Sequence, residues 1–392
     1  MESRFKFSMK YKIPVFILIA IGIISVISAL FLQHDHGSRF WANFHLNTVY
    51  AILISLCGMV FLAIHSLGMS GWHTGIQRIP EAMTSFLPIG AILMLITILG
   101  MTFDWNHLFH WVHPEGDKIL EAKKAYLNIP FFTVRTAIYL GGWIALSNWW
   151  RKVSIQQDMD EGLKRFRKTN IIAGIFIVFF AVTSSMSAWD WLMSIDPHWF
   201  STLYGWYVFS GLLVSGMAVI ILLTMLLKKT GYMPHVNKEH LHDLGKYLFA
   251  FSILWMYLWF SQYMLIWYGN LPEETIYFKQ RLEEFNTLFF VNLILNFAFP
   301  FLALMTRNSK RIPVILVFTS IILLIGHWID FYLMVMPGTL GTDAKIGFIE
   351  IGMTLGFMGL FLLVVLNALT KTNLIPLKHP YLNESYEYHT QY

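Results

Sequence analysis

Ten stretches of this 392-residue chain are each long and apolar enough to cross a bilayer, and lysine and arginine gather in alternate connections between them. A crossing helix needs about 20 mostly apolar residues. The stretches lie near 13–32, 46–68, 83–101, 130–150, 169–190, 203–227, 243–268, 286–306, 312–335 and 346–369. Little chain is left over, so no soluble domain of useful size is expected. In hydrocarbon every backbone N–H and C=O needs a partner within the protein, which leaves helices or a closed barrel. A barrel would show segments of about ten residues with alternating polarity, and none is present. The expected fold class is therefore an all-α polytopic membrane protein. The composition, 56% hydrophobic and 13% charged, leaves too little charge to cover a soluble surface. The first apolar run follows Arg4, Lys6, Lys10 and Lys12, but it is too long for the core of a signal peptide and no small-residue cleavage site follows. It counts as a span.

The basic residues set an orientation. Lys and Arg divide 19 to 7 between the two sets of connections, and the richer set belongs on the cytoplasmic side. Both termini are then cytoplasmic, with 371–392 as a polar cytoplasmic tail. The net charge of +5 reads as this orientation signal. No nucleic-acid partner is expected, and lipids are the first partner.

The single cysteine, Cys57, lies in the second span. One thiol cannot hold an iron–sulfur cluster, and there is no C-x-x-C-H for covalent haem. Cys57 reads as a small buried hydrophobe. Non-covalent haem needs two histidines facing each other at one depth. His65 lies at the inner end of its span and His327 toward the outer end, so they do not match. No metal or redox cofactor is expected on this chain.

Odd-numbered spans run outward, and several end on a polar group among aromatics. The fifth ends A-W-D-W-L-M-S-I-D-P and the ninth H-W-I-D-F-Y-L-M-V-M-P. An offset of four helices preserves direction. This suggests two four-helix bundles, spans 2–5 (46–190) and spans 6–9 (203–335), flanked by spans 1 and 10, as a parallel repeat.

An ionisable group within a span costs about 2.5–3.5 kcal/mol on insertion scales, so it usually faces a partner, water or a ligand. The outer-side candidates are Arg135, Asp190, Asp196, His327, Asp330 and Glu350, with Asp104, His198 and Gln262 nearby. His327 and Asp330 are three apart and share a helix face. A quinone head group needs hydrogen-bond partners at its carbonyls and a carboxylate or imidazole for protons. The same residues equally suit structural ion pairs at helix ends. On the inner side the proton-path candidates are His65 and Lys246, with His73, Gln77 and Asp243 beside them. Lys246 also suits a side chain reaching for the headgroups. Pro197 interrupts the segment 189–204, and Ser201 is a candidate cap for the next span.

The stretches D-W-L-M-S-I-D-P-H-W-F-S-T-L-Y-G-W-Y (190–207) and L-W-F-S-Q-Y-M-L-I-W-Y-G-N-L-P-E-E (258–274) resemble the NrfD/polysulfide-reductase membrane subunits. They are most similar to the shorter of the two such subunits of bacterial alternative complex III. The resemblance implies ten spans in two bundles within an assembly that oxidises quinol. Electrons there pass through iron–sulfur clusters to haem c on partner subunits, and onward to cytochrome c or a terminal oxidase. The implied partners are the longer related membrane subunit, an iron–sulfur subunit and a multihaem cytochrome c subunit. In the family the quinol site lies near the outer face, and the longer subunit is the better candidate to hold it. No quinol-contact residue carries over onto a numbered position here. Two other readings stay open. One is a structural and proton-conducting subunit that never touches quinone. The other is a stand-alone secondary transporter, which would place broken helices and charge at the midplane. The apolar mid-spans argue against the transporter.

Overall fold

The computed structural model describes residues 4–31, 37–160 and 162–389. Among them, ten helices are long and apolar enough to cross a membrane. They are α1 (Met9–Phe31), α2 (Ser38–Leu67), α3 (Arg78–Thr102), α4 (Ile129–Gln157), α5 (Leu163–Ile195), α6 (Tyr204–Lys229), α7 (Lys238–Gly269), α8 (Asn286–Ala303), α9 (Pro313–Asp343) and α10 (Phe348–Thr370). The described residues contain no sheet, only an isolated bridge between Arg4 and Asn373. This is an all-α, multi-pass membrane architecture. An even number of crossings brings both terminal segments to one end, where that bridge joins them.

Several helices run past the apolar stretch that marks them, because polar groups finish them. Asn237 caps α7 by accepting from the backbone N–H of Glu239 and His240, so α7 starts five residues before the apolar stretch at 243. Asn128 does the same for α4, accepting from Phe131 at 2.9 Å. Ser201 is not a cap: α6 begins at Tyr204, and its N-cap Leu203 has no side-chain bond. α9 continues through Pro337 to the far end.

Helices α2, α3, α4 and α5 pack in a closed ring, and α6, α7, α8 and α9 form a second. The rings meet through α2, α5, α6 and α9. Consequently α2 and α6 are buried nearly all around, whereas α1 and α8 show most of their surface. Where α2 meets α6, a Cβ on Gly216 would lie 2.1 Å from the Cβ of Cys57. Only glycine permits that approach, and it explains why Cys57 is a packed, buried thiol. Helices α1 and α10 pair along their length outside the rings. A Cβ on Gly22 would sit 2.4 Å from the Cα of Gly356, and Gly352 and Gly356 form the small-x-x-x-small spacing that lets membrane helices touch backbone to backbone.

Candidate functional site

Each ring carries a buried carboxylate, Asp190 near the end of α5 and Asp330 on α9. Their surroundings differ in one decisive respect. Asp190 is gripped by Arg135 of α4, with Nε 2.8 Å from Oδ2 and Nη2 2.9 Å from Oδ1. Tyr139, one turn further along α4, donates its hydroxyl at 2.9 Å. Arg135 also donates to the Tyr126 carbonyl at 3.0 Å and lies 3.8 Å over the Tyr126 ring. Both members of the pair are buried. A two-pronged, fully bonded pair of this kind is a structural staple.

Asp330 has no such cation. On α8, which packs against α9, Asn292 and Asn296 are four apart, the same spacing as Arg135 and Tyr139 on α4. Asn292 donates to Asp330 Oδ1 at 2.9 Å, and Asn296 donates to Asn292 at 2.6 Å. Trp255 of α7 donates to Oδ2 at 3.0 Å, and the Tyr207 hydroxyl of α6 donates to Oδ1. Among the described residues no Lys or Arg nitrogen reaches Asp330 within the 4.0 Å of an ion pair. His327 lies one turn before it on the same face, with Nδ1 3.9 Å from Oδ2, too far for a hydrogen bond. Among the described residues neither ring nitrogen of the buried His327 has a hydrogen-bond partner, and its ring stands edge-on to Trp255 at 5.4 Å.

The backbone opposite Asp330 is also irregular. Residues Ile294–Ala298 form a π turn within α8. Pro300 supplies no N–H to the carbonyl four residues back, at Asn296, and its ring crowds that carbonyl. The helix widens there, the kind of insertion often found at functional sites.

Two spaces lie at this end. A cleft bordered by Tyr207, Gln262, Arg281, Asn292 and Asp330 has a cavity volume of about 20 Å³, room for one water and not for a quinone ring. The roomier cavity, about 310 Å³, is walled by Tyr126, Trp189, Met193, Trp199 and Phe200. That volume is at the lower edge of ordinary small-molecule pockets. Its Tyr126 wall is the ring that stacks on Arg135.

The other outer candidates are separate structural pairs. Asp196 accepts from Arg281 Nη2 at 2.9 Å. Arg281 is buried, lies 3.3 Å over the Tyr277 ring and donates to the Leu333 carbonyl at 2.9 Å. Pro337 leaves that carbonyl without its helical donor. Glu350 is paired with Arg39 at 2.6 and 2.8 Å and also accepts from Asn43 at 3.1 Å. The outer candidates therefore form four centres: Arg135–Asp190, Asp196–Arg281, His327–Asp330 and Glu350–Arg39.

At the terminus-bearing end, His65 and Lys246 are not joined. Lys246 is half-exposed and pairs with Asp243, as a side chain reaching outward would. His65 is buried with its ring 4.7 Å from that of His73. The described part of the tail is packed across the helix ends. Ser385 donates to the Trp72 carbonyl at 2.8 Å, Asn237 donates to the Tyr388 carbonyl at 2.8 Å, and Tyr388 donates to Asp243 at 2.5 Å. Burial holds the His379 imidazole down at about 4. Burial, followed by the neighbouring His65 and His379, holds His73 well below the ordinary histidine value. Both are neutral at pH 7.

Sequence reasoning named Asp330 and His327 but missed Tyr207, Trp255, Asn292 and Asn296. A signal for the last two was present: N-L-I-L-N puts two amides four apart in an apolar span, with a proline four residues later. No protein-family model matches this chain, and no curated protein matches it.

Proposed function

We propose that this chain is an integral membrane subunit of a quinol-oxidising respiratory assembly of the alternative complex III type, and that it handles protons there through Asp330 and His327. The observation that carries the reading is the contrast between the two carboxylates. Asp190 is neutralised by Arg135, whereas Asp330 is buried among neutral donors beside an imidazole whose nitrogens are both unpaired. A buried carboxylate without a cation is costly as an anion, and intramembrane acids of this kind mark proton paths. Oxidising one quinol releases two electrons and two protons. In this reading the electrons leave through iron–sulfur and haem c groups on partner subunits, and Asp330 with His327 relays protons by way of the water-sized cleft. The likeness of residues 190–207 and 258–274 to such subunits supports the setting, and the even number of crossings suits both termini in the cytoplasm of a bacterial inner membrane.

A second reading, that the chain faces quinone directly, is favoured by the cavity of about 310 Å³ with its aromatic walls. One set of variants separates the readings. In the assembled complex, Asp330→Asn lowers proton release per electron if Asp330 relays protons. Trp199→Ala raises the KM for quinol if the cavity holds the head group. Wild-type turnover and proton release across pH 6–8 in both variants would leave the subunit a scaffold.

A further inference from the structure

The connection from α3 to α4 carries three side chains that the reading above does not use. Asp104, His107 and His113 offer one oxygen and two nitrogens that all lie within 4.8 Å of one another. His113 Nε2 is 2.9 Å and His107 Nδ1 is 3.6 Å from the same oxygen, Asp104 Oδ1. Ligands bonded at about 2.0–2.1 Å to a tetrahedral zinc stand about 3.3 Å apart, so these two separations bracket the required value. We propose that Asp104, His107 and His113 bind a divalent zinc-like cation, with water as the fourth ligand.

Three features build the site. Asp104 has φ 59, a left-handed conformation that Asp tolerates better than most residues, and it turns the chain as it leaves α3. Phe109 and Trp111 are buried against Phe132, which anchors the segment between the two histidines. His110, between them, donates to the Gly338 carbonyl at 3.2 Å and ties the loop to α9. All three ligand side chains remain more than half exposed, at 62%, 52% and 56%, so an ion reaches them without opening the fold. Two imidazoles and one carboxylate suit zinc over magnesium or calcium, which prefer all-oxygen shells. Bound there, the ion would clip the two ends of a loop that crosses from the first ring to the end of α9.

The test uses the full chain in detergent, metal-stripped and carrying no histidine tag, titrated with zinc chloride by calorimetry. The proposal expects one site per chain that is tighter than any other, weakened about tenfold or more by His107→Ala, by His113→Ala and by Asp104→Asn. His198→Ala is the control: it removes a histidine that is paired with Asp117 at 2.6 Å and lies outside the three ligands, and it leaves the tight site intact. A second measurement, hydrogen exchange over 103–117, slows on adding zinc to wild type and does not change in the His107→Ala/His113→Ala double variant. Absence of saturable binding in wild type, or an unchanged tight site in the double variant, overturns the assignment.

Discussion

Replacing Arg135 with methionine keeps the stem of the side chain and deletes the group that holds Asp190. The structure sets the scale of the effect. Two charge-assisted bonds, at 2.8 and 2.9 Å, are lost, each worth about 1.5–3 kcal/mol. Asp190 stays buried, with the Tyr139 hydroxyl still donating to it at 2.9 Å. Removing one partner of a buried pair costs about 3–5 kcal/mol, chiefly because the other charge is stranded. Arg135→Met is therefore expected to destabilise the chain by about 4 kcal/mol. The double variant Arg135→Met/Asp190→Asn strands no charge and recovers at least about 2 kcal/mol of that loss. Asp330→Asn behaves differently. It separates no ion pair, and its new amide faces the Trp255 N–H, so it costs about 1–3 kcal/mol for one unmade bond. The assay is unfolding of the purified chain in mixed micelles by titration with denaturing detergent, followed by circular dichroism. Two results would refute the reasoning: a cost below about 1 kcal/mol for Arg135→Met, or a double variant as unstable as the sum of its singles.

Acid should loosen the packed tail. His379 is held neutral in the fold at about 4, against an ordinary 6.5. The unfolded segment therefore binds more protons between those values, and its docking weakens as pH falls from 6.5 toward 4. Protection from hydrogen exchange over 371–389, taken relative to the intrinsic rate at each pH, should fall across that window, and less so in His379→Gln. Gly356→Leu should part α1 from α10, since a Cβ on Gly356 would lie 2.5 Å from the Cα of Gly22. Hydrogen exchange over 9–31 should then run faster in that variant than in the parent chain.

The crossings were legible in the sequence because insertion into a bilayer sums over one contiguous segment. The runs at 13–32 and 346–369 carry that information without reference to any other part of the chain. The polar ends were legible only as residue types. Nothing local to Asp190 or Asp330 says which of them receives a cation, because Arg135 is 55 positions from the first and Asn292 is 38 from the second. The same holds for Arg281 with Asp196, 85 apart, and Arg39 with Glu350, 311 apart. Counted as loop charges, Arg39 and Arg281 pointed only to an orientation. Packing turned both into partners for acids. His65 and Lys246 are both proton-path candidates by residue type and by lying near one end of the bundle, yet one faces His73 inside and the other is half-exposed and pairs with Asp243. Depth in the membrane is a property of a segment's own hydrophobicity, so the sequence alone determined it. Which face of a helix meets which neighbour depends on every helix in the ring at once, and that choice, made in the tertiary structure, left Asp330 among neutral donors and closed Asp190 with an arginine.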